Sequence, residues 1–387
     1  MLRSRSIIGL DIGSRHLKAI YLERRRGGWS VTAAGVAPTP ADAVSEGIVH
    51  EPVRVADAVS ALLRERNIPP GEAVAAISGS TVTVRQIRMP NVPTNSLPKA
   101  VRFEAAKYLP SVQESAVEYA VLGKSGEPLQ LDLLLVAAPN EMVNSRVQAM
   151  ELAGLDPVAV DIEAFALLRS LSAAGFDLSE PMAVLNMGAA FTDFHILYDE
   201  NIALTRSIPM GGAMLTQAIV SAANVTVDAA ETLKEQLDLQ PAPPGGFRGE
   251  GSGVSDDSAS DGFAGLTPDP RPPTPGLEMA MQVTMPFLDE ILREVRRSLN
   301  FYHSQFPEGA SQANVNRLLL CGGTARLRGL AGFLEERLSV PVAVLDLFNA
   351  TGHLAGVDVE GPTRDWLRGR SADLAIATGL ALKEQVA

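Results

Sequence analysis

Ile7-Ile8-Gly9-Leu10-Asp11-Ile12-Gly13-Ser14, followed by Leu17-Lys18-Ala19-Ile20-Tyr21-Leu22, is the stretch on which the fold turns. An apolar run ends at an acidic residue, one apolar residue intervenes, a glycine permits a tight turn, and a second run returns with partial alternation. The same device recurs far downstream. There the chain reads Met182-Ala183-Val184-Leu185-Asn186-Met187-Gly188-Ala189, then Thr192-Asp193-Phe194-His195-Ile196-Leu197-Tyr198. Two copies of one opening hairpin predict two similar α/β halves.

The hairpin turns carry a chemical reading. Backbone N–H groups at Gly13 approach a phosphate closely, the Ser14 hydroxyl adds a donor, and Asp11 at the strand end suits a magnesium ion held through water. Each hairpin taken singly is also an ordinary turn; two together grip one phosphate chain from both sides. A third element runs Leu318-Leu319-Leu320-Cys321 into Gly322-Gly323-Thr324-Ala325-Arg326, with a helix expected near Leu327. That geometry lays a ligand against bare backbone at a helix start. Glu231 and Lys234 lie three apart in a helical pattern and so point the same way, which also fits a solvated surface pair. Pro209-Met210-Gly211-Gly212 forms one more glycine turn.

Bulk properties narrow the function. With 387 residues the chain is long enough for two domains, and its formal net charge of -12 and low aromatic content (5%) disfavour nucleic acid as a partner. Its single cysteine, Cys321, reads as a buried structural thiol and permits neither an internal disulfide nor a zinc site. Arg3 and Arg5 precede Ile7 and Ile8 as in a signal peptide, but Asp11 and Arg15 interrupt the apolar run. No stretch of about 18 apolar residues occurs, so no spanning helix and a cytoplasmic location are expected.

Organisation follows from composition. The segment 240–276 holds eight Gly and eight Pro among 37 residues and reads as a flexible insertion in the second half, between two helical patterns. Residues 85–158, a strand, helix, two strands and a helix, read as a small α+β unit inserted in the first half. The expected division is 1–84 with 159–180, the insert 85–158, a second half 181–371, and a C-terminal helix 372–387 returning to the first half.

The order and spacing of these elements resemble the sugar kinase, heat-shock chaperone and actin superfamily. The insert lies where its FtsA/PilM branch carries a distinctive subdomain. Ile8-Gly9-Leu10-Asp11-Ile12-Gly13-Ser14, Ile87-Arg88-Met89-Pro90, Glu104-Ala105-Ala106-Lys107-Tyr108-Leu109-Pro110, Ser207-Ile208-Pro209-Met210-Gly211-Gly212 and Cys321-Gly322-Gly323-Thr324-Ala325 are similar to sequences of the PilM family of type IV pilus assembly proteins. The resemblance implies an actin-like (ribonuclease H-like) α/β fold that binds ATP and Mg2+. By that resemblance Asp11, Gly13, Ser14 and Lys18 form the first phosphate element, with Asp11 at the metal. Asn186, Gly188, Ala189 and Thr192 form the second, with Gly211 and Gly212 beside it. Glu231 and Lys234 contact ribose and adenine, and Gly322, Gly323, Thr324 and Arg326 make the adenosine turn.

One departure stands out. The superfamily usually places Asp where this chain has Asn186, and an amide cannot accept a proton. Weak or no ATPase activity is therefore expected. Glu163 is the candidate substitute, weighed against an incidental Glu on a core-facing helix. The implied function is a scaffold on the inner-membrane platform of a type IV pilus or related type II secretion system, peripheral to the membrane through its partner. That partner is the N-terminal cytoplasmic peptide of a PilN-like membrane protein, docked in a nucleotide-sensitive way between the first half and the insert. Residues 77–88 and 99–108 are the candidate walls. Other platform components, motor ATPases and self-association are further partners the resemblance admits; direct membrane insertion is not expected. The rival is an FtsA-like cell-division actin, which ends in a basic amphipathic anchor. Here 372–387 is a Gly-interrupted apolar helix with Lys383 as its only cation. A sugar kinase needs a catalytic Asp base and a sugar pocket, which the small insert and Asn186 disfavour.

Overall fold

The hairpin copies each found a sheet. In the computed structural model, which describes residues 6–25, 28–125, 129–239, 275–307, 310–348 and 362–383, β1 (Ile8–Ile12) and β2 (His16–Arg25) pair antiparallel, with Asp11 opposite Lys18. β3 (Gly28–Pro38) extends the sheet beyond β2. The chain then makes a two-residue pair, β4 (Val44–Ser45) and β5 (Ile48–Val49), before α1 (Pro52–Glu65). β6 (Glu72–Ile77) returns parallel to β1 on its other side. All five residues of β1 are buried, as a central strand covered on both faces requires.

Next comes the inserted unit. β7 (Thr83–Pro90), α2 (Leu97–Ala105), β8 (Ser115–Ser125) and β9 (Gln130–Pro139) form a sheet ordered β7-β9-β8, with the apolar β9 in the centre as its sequence predicts. The unit has its own core of Ile87, Met89, Leu97, Val101, Ala105, Leu131, Leu133 and Leu135. β7 runs on through Met89 and Pro90, where the sequence suggests a break. Proline is tolerated there because β7 is an edge strand.

The unit's own sheet ends at Pro139, short of the expected 158. α3 (Asn140–Leu152) packs instead on α1, and Ala149 and Met150 join the core under the first sheet. Arg146 secures it: the guanidinium is buried and donates to the carbonyls of Ala76 (2.7 Å), Met142 (3.2 Å) and Gly47. An inward-facing arginine hides the helix's buried face from any apolar-stripe reading. β10 (Asp156–Ile162) then pairs parallel with β6, giving the order β10-β6-β1-β2-β3, and α4 (Glu163–Ala173) leads to the second half.

There β11 (Met182–Met187), β12 (Thr192–Tyr198) and β13 (Asn201–Ile208) form the antiparallel side of the second sheet. α5 (Gly212–Ala223), α6 (Val227–Gln236) and α7 (Pro275–His303) cover it; the 240–276 insertion lies outside the described residues except for 275–276, which open α7. β14 (Arg317–Cys321) pairs parallel with β11. The residues after Cys321 close a 3-10 turn, Gly323–Arg326, so α8 (Leu330–Leu338) starts later than Leu327. β15 (Val342–Val344) completes the order β13-β12-β11-β14-β15.

α9 (Pro362–Arg368) precedes α10 (Ser371–Ala381), which returns to the first sheet and packs on β1, β2, β6 and α4. Every residue of α10 is buried. Glycines set how close it comes: a β-carbon on Gly379 would lie 1.7 Å from the Ala166 carbonyl oxygen, and one on Gly9 would lie 1.9 Å from that of Ala377. Both obstacles are backbone and cannot rotate away. Gly379→Val is thus expected to cost about 1–3 kcal/mol or more, read as a lower urea midpoint at unchanged m-value. An unaltered midpoint would show that α10 can shift freely.

Candidate functional site

The glycine turns of both sheets meet at one cleft. On the first hairpin the Gly13 N–H donates to the His16 carbonyl (3.1 Å), and the Thr39 hydroxyl holds the Gly13 carbonyl at 2.7 Å. Ser14 stands half-buried at the tip. Asp11 and Lys18, cross-strand partners, are joined by an Nζ–Oδ2 hydrogen bond of 2.9 Å. Burial alone would depress the Lys18 pKa, but the Asp11 carboxylate outweighs it and the ammonium is held above its ordinary value.

The second hairpin is a hub for three other segments. Gly188 donates to the Phe191 carbonyl (2.9 Å) across the turn. The Gly212 N–H reaches the Gly188 carbonyl and the Ala213 N–H the Ala189 carbonyl, both at 2.9 Å. The Thr192 hydroxyl donates to the Met210 carbonyl (2.7 Å). Gly211 must be glycine for this approach, since a β-carbon would lie 2.3 Å from the Ala189 oxygen. From β14, Gly322 adopts φ +84°, and a side chain there would strike the Met187 carbonyl. The Thr324 hydroxyl reaches the Gly188 carbonyl (3.3 Å). A β-carbon on Gly323 meets nothing within 4 Å, so its surroundings are open.

Glu231 and Lys234 do not form a solvated surface pair. Their side chains are 18% and 14% exposed and joined at 2.8 Å. Lys234 also donates to the Thr216 hydroxyl (2.8 Å) and the Gly212 carbonyl (3.3 Å), and Glu231 faces Arg15 of the first hairpin at 3.6 Å, across the cleft. Arg326 faces Asp373 on α10 at 3.4 Å. These contacts link Arg15 of the first hairpin, the Gly188 turn, Gly212, the Glu231–Lys234 pair and Thr324 of the turn after β14.

It also adds a buried acidic cluster. Glu163, the first residue of α4, accepts from Ser78 Oγ (2.9 Å) and Asn186 Nδ2 (2.8 Å). Burial, followed by the Asp193 and Asp11 carboxylates, pushes its pKa up to about 8. Asp193, on the strand next to Asn186, is raised to about 6 by burial, against the pull of the nearby Ser207 and Ser78 hydroxyls. The sequence assigns no site role to Asp193 or Asp373, and gives Ser78 only as part of the 77–88 wall. The available signal for Asp193 was a charge inside an otherwise apolar strand. Asp373 is 5% exposed, and its Oδ1 has no hydrogen-bond partner among the described residues. Cys321 is fully buried, with Sγ 3.7 Å from Asn186 Oδ1, as a structural thiol would be.

Beside this cluster lies a cavity of about 320 Å³. Its walls are 77–79 after β6, 82–85 of β7, Tyr108, Glu163, and Asp193 with 205–207 of the second half. It thus lies where the first half, the inserted unit and the second half meet. His195 contributes a buried wall atom, Nε2, that lacks a hydrogen-bond partner among the described residues. Burial depresses His195 to about 4, so its ring is neutral.

A sequence profile described as "Type IV pilus assembly protein PilM" matches residues 9–242 and 275–385. The solved "PilM-PilN type IV pilus biogenesis complex" superimposes with a TM-score of 0.76 and 26% identity, covering 97% of this chain and 98% of that one. MreB5 of Spiroplasma citri, solved bound to AMPPNP, shares the fold at a TM-score of 0.50 and 13% identity, over 99% of this chain and 96% of its own. The cell division protein FtsA of Streptococcus pneumoniae serotype 2 (strain D39 / NCTC 7466) is 22% identical over 261 residues, spanning 60% of this chain and about 56% of its own length. The chain has an actin-like fold and belongs to the PilM family of type IV pilus assembly proteins.

Proposed function

We propose that this protein is an ATP-binding scaffold of the pilus assembly platform. The observation that carries the nucleotide reading is the convergence of two phosphate-type hairpins, the Gly211–Gly212 turn and the Gly322–Gly323 turn on a single cleft. The residues fit the ligand: the backbone at Gly323 opens to free space, and the Asp373 Oδ1 is an unused acceptor among the described residues. Gly13, Ser14, Lys18, Gly188, Ala189 and Thr192 would face the phosphates, and Glu231, Lys234 and 322–326 the nucleoside. Among the described residues no group of three or more His, Cys, Asp or Glu side chains could cage a metal. A magnesium ion would therefore be held by phosphates and water, with Asp11 as an outer partner, and would supply charge neutralisation.

Gly323→Val should abolish ATP binding and leave the fold intact, because the new side chain points into open space and not into the core. Calorimetric titration checks it; wild-type affinity would remove Gly323 from the site.

The cavity under the inserted unit is the proposed dock for the N-terminal peptide of a PilN-like membrane protein. An extended peptide alongside β7, an edge strand, gains main-chain hydrogen bonds and a side-chain pocket. Among the described residues no helix is long and apolar enough to cross a membrane. Membrane attachment through the partner is the expected mode, and the FtsA-like alternative has less support. The purified protein should ignore bare anionic vesicles in a flotation assay and float once such a peptide is displayed on them. Flotation with bare vesicles would favour the FtsA-like alternative.

A further inference from the structure

The peptide cavity and the second phosphate hairpin share residues. The loop after β6 carries Ser78, whose hydroxyl binds one oxygen of Glu163, while the other oxygen takes the Asn186 amide. Glu163 and Ser78 line the cavity; Asn186 belongs to the hairpin. The next residue of the loop passes close to the hairpin. Gly79 has φ +119°, and a β-carbon on it would sit 3.4 Å from the Phe191 ring, at the tip of the same hairpin. Ser78 and Gly79 line the cavity, and from Val82 its wall continues into β7. One short segment therefore reaches the phosphate hairpin through Glu163, lies close to its Phe191 tip, and forms part of the wall of the dock.

We propose that the Ser78–Glu163–Asn186 bridge couples nucleotide binding to peptide docking, with the 78–82 loop as its moving part. The inference rests on the scaffold reading above and specifies its regulation. A ligand that repositions the second hairpin must either carry Ser78 along or break the bridge. Either result changes the cavity wall. Because linkage is reciprocal, peptide must change nucleotide affinity by the same factor. Glu163 is a positioning residue here: it acts through the loop and needs no contact with either ligand.

The test is a binding cycle on the full chain. The probe is a synthetic peptide of the cytoplasmic N-terminus of the PilN-like protein from the same pilus system, titrated with and without saturating Mg-ATP. Wild-type protein is expected to show about a tenfold ratio of peptide Kd between the two states, within the range usual for coupled sites. Ser78→Ala and Glu163→Ala, each of which removes a member of the bridge, should bring that ratio to within about twofold of one, whatever each does to the separate affinities. Ser78→Thr, which keeps the hydroxyl, should retain it. Melting curves confirm that each variant is folded. A wild-type ratio near one, or a full ratio in Ser78→Ala, overturns the coupling and leaves docking standing. Failure of the peptide to bind in either state removes both docking and coupling.

Discussion

In a single-turnover experiment with labelled ATP, the wild-type protein should keep most of its nucleotide intact, hydrolysing it about 10²–10⁴-fold more slowly than a comparable site with a working base. The reason lies in two side chains. By the superfamily resemblance a carboxylate is expected at the hairpin position Asn186 occupies, and an amide bears no charge and takes no proton. Glu163, the nearest replacement, is held at a pKa of about 8 by burial and by the Asp193 and Asp11 carboxylates, so it is mostly protonated at pH 7. Its two oxygens are already engaged with Ser78 and Asn186.

Two consequences follow from that arrangement. The residual rate should climb as pH rises from 7 to 9, approaching a tenfold gain as Glu163 ionises, since about one molecule in ten carries the carboxylate at pH 7. Asn186→Asp should speed turnover at neutral pH. It sets a second carboxyl against Glu163, and of two facing carboxyls sharing a proton one is ionised. A wild-type rate of about 1 per second or faster, typical of enzymes, would contradict the scaffold reading.

The second large effect concerns stability. Glu163→Gln should make the protein more stable at pH 8 than wild type and flatten its stability–pH curve. The sign is fixed by linkage. The Glu163 pKa is near 8 in the folded state and near the ordinary 4.5 unfolded. Its favourable contribution is full below the unfolded value and is lost as pH rises through the folded one. Between those limits wild-type stability should fall, by a total on the order of a few kcal/mol, since a tenfold difference in proton affinity between the two states is worth about 1.4 kcal/mol. Glutamine does not titrate. It keeps an acceptor for Ser78, and the Asn186 amide can flip to meet the new donor. Urea melts of both proteins at pH 5 and pH 8 read this directly; parallel pH slopes would show that Glu163 is not buried as a neutral acid.

Much of the fold was legible because hairpin and glycine signals are local. Ile7–Leu22 and Met182–Tyr198 each announce strand, turn and strand, and both fold that way. Leu129 to Ala138 reads as central because it is apolar on both faces, and β9 is central. The helix at 140–152 reads as part of the inserted unit, yet it packs chiefly on α1, because Arg146, its inward anchor, looks like a surface residue until the carbonyls of Ala76 and Gly47 surround it. The candidate site was legible where it consists of turns, which depend on residue type at fixed spacing. It was not legible where it depends on the halves closing. No spacing links Ser78 to Glu163, or Glu163 to Asn186, because 85 and 23 residues separate them. Asp193 passed for an ordinary strand residue for the same reason.

The central claim is that one chain holds a nucleotide in the cleft and docks a partner's peptide beneath the inserted unit. Hydrogen-exchange mass spectrometry of the ATP-loaded protein, with and without the PilN-like peptide, tests it most directly. Peptide-dependent protection is expected to concentrate in 77–88, in 99–108, which spans most of α2 and its following turn, and at the start of α4. Protection confined to the second half, or spread over the outer face of α7 with none at 77–88, would contradict it.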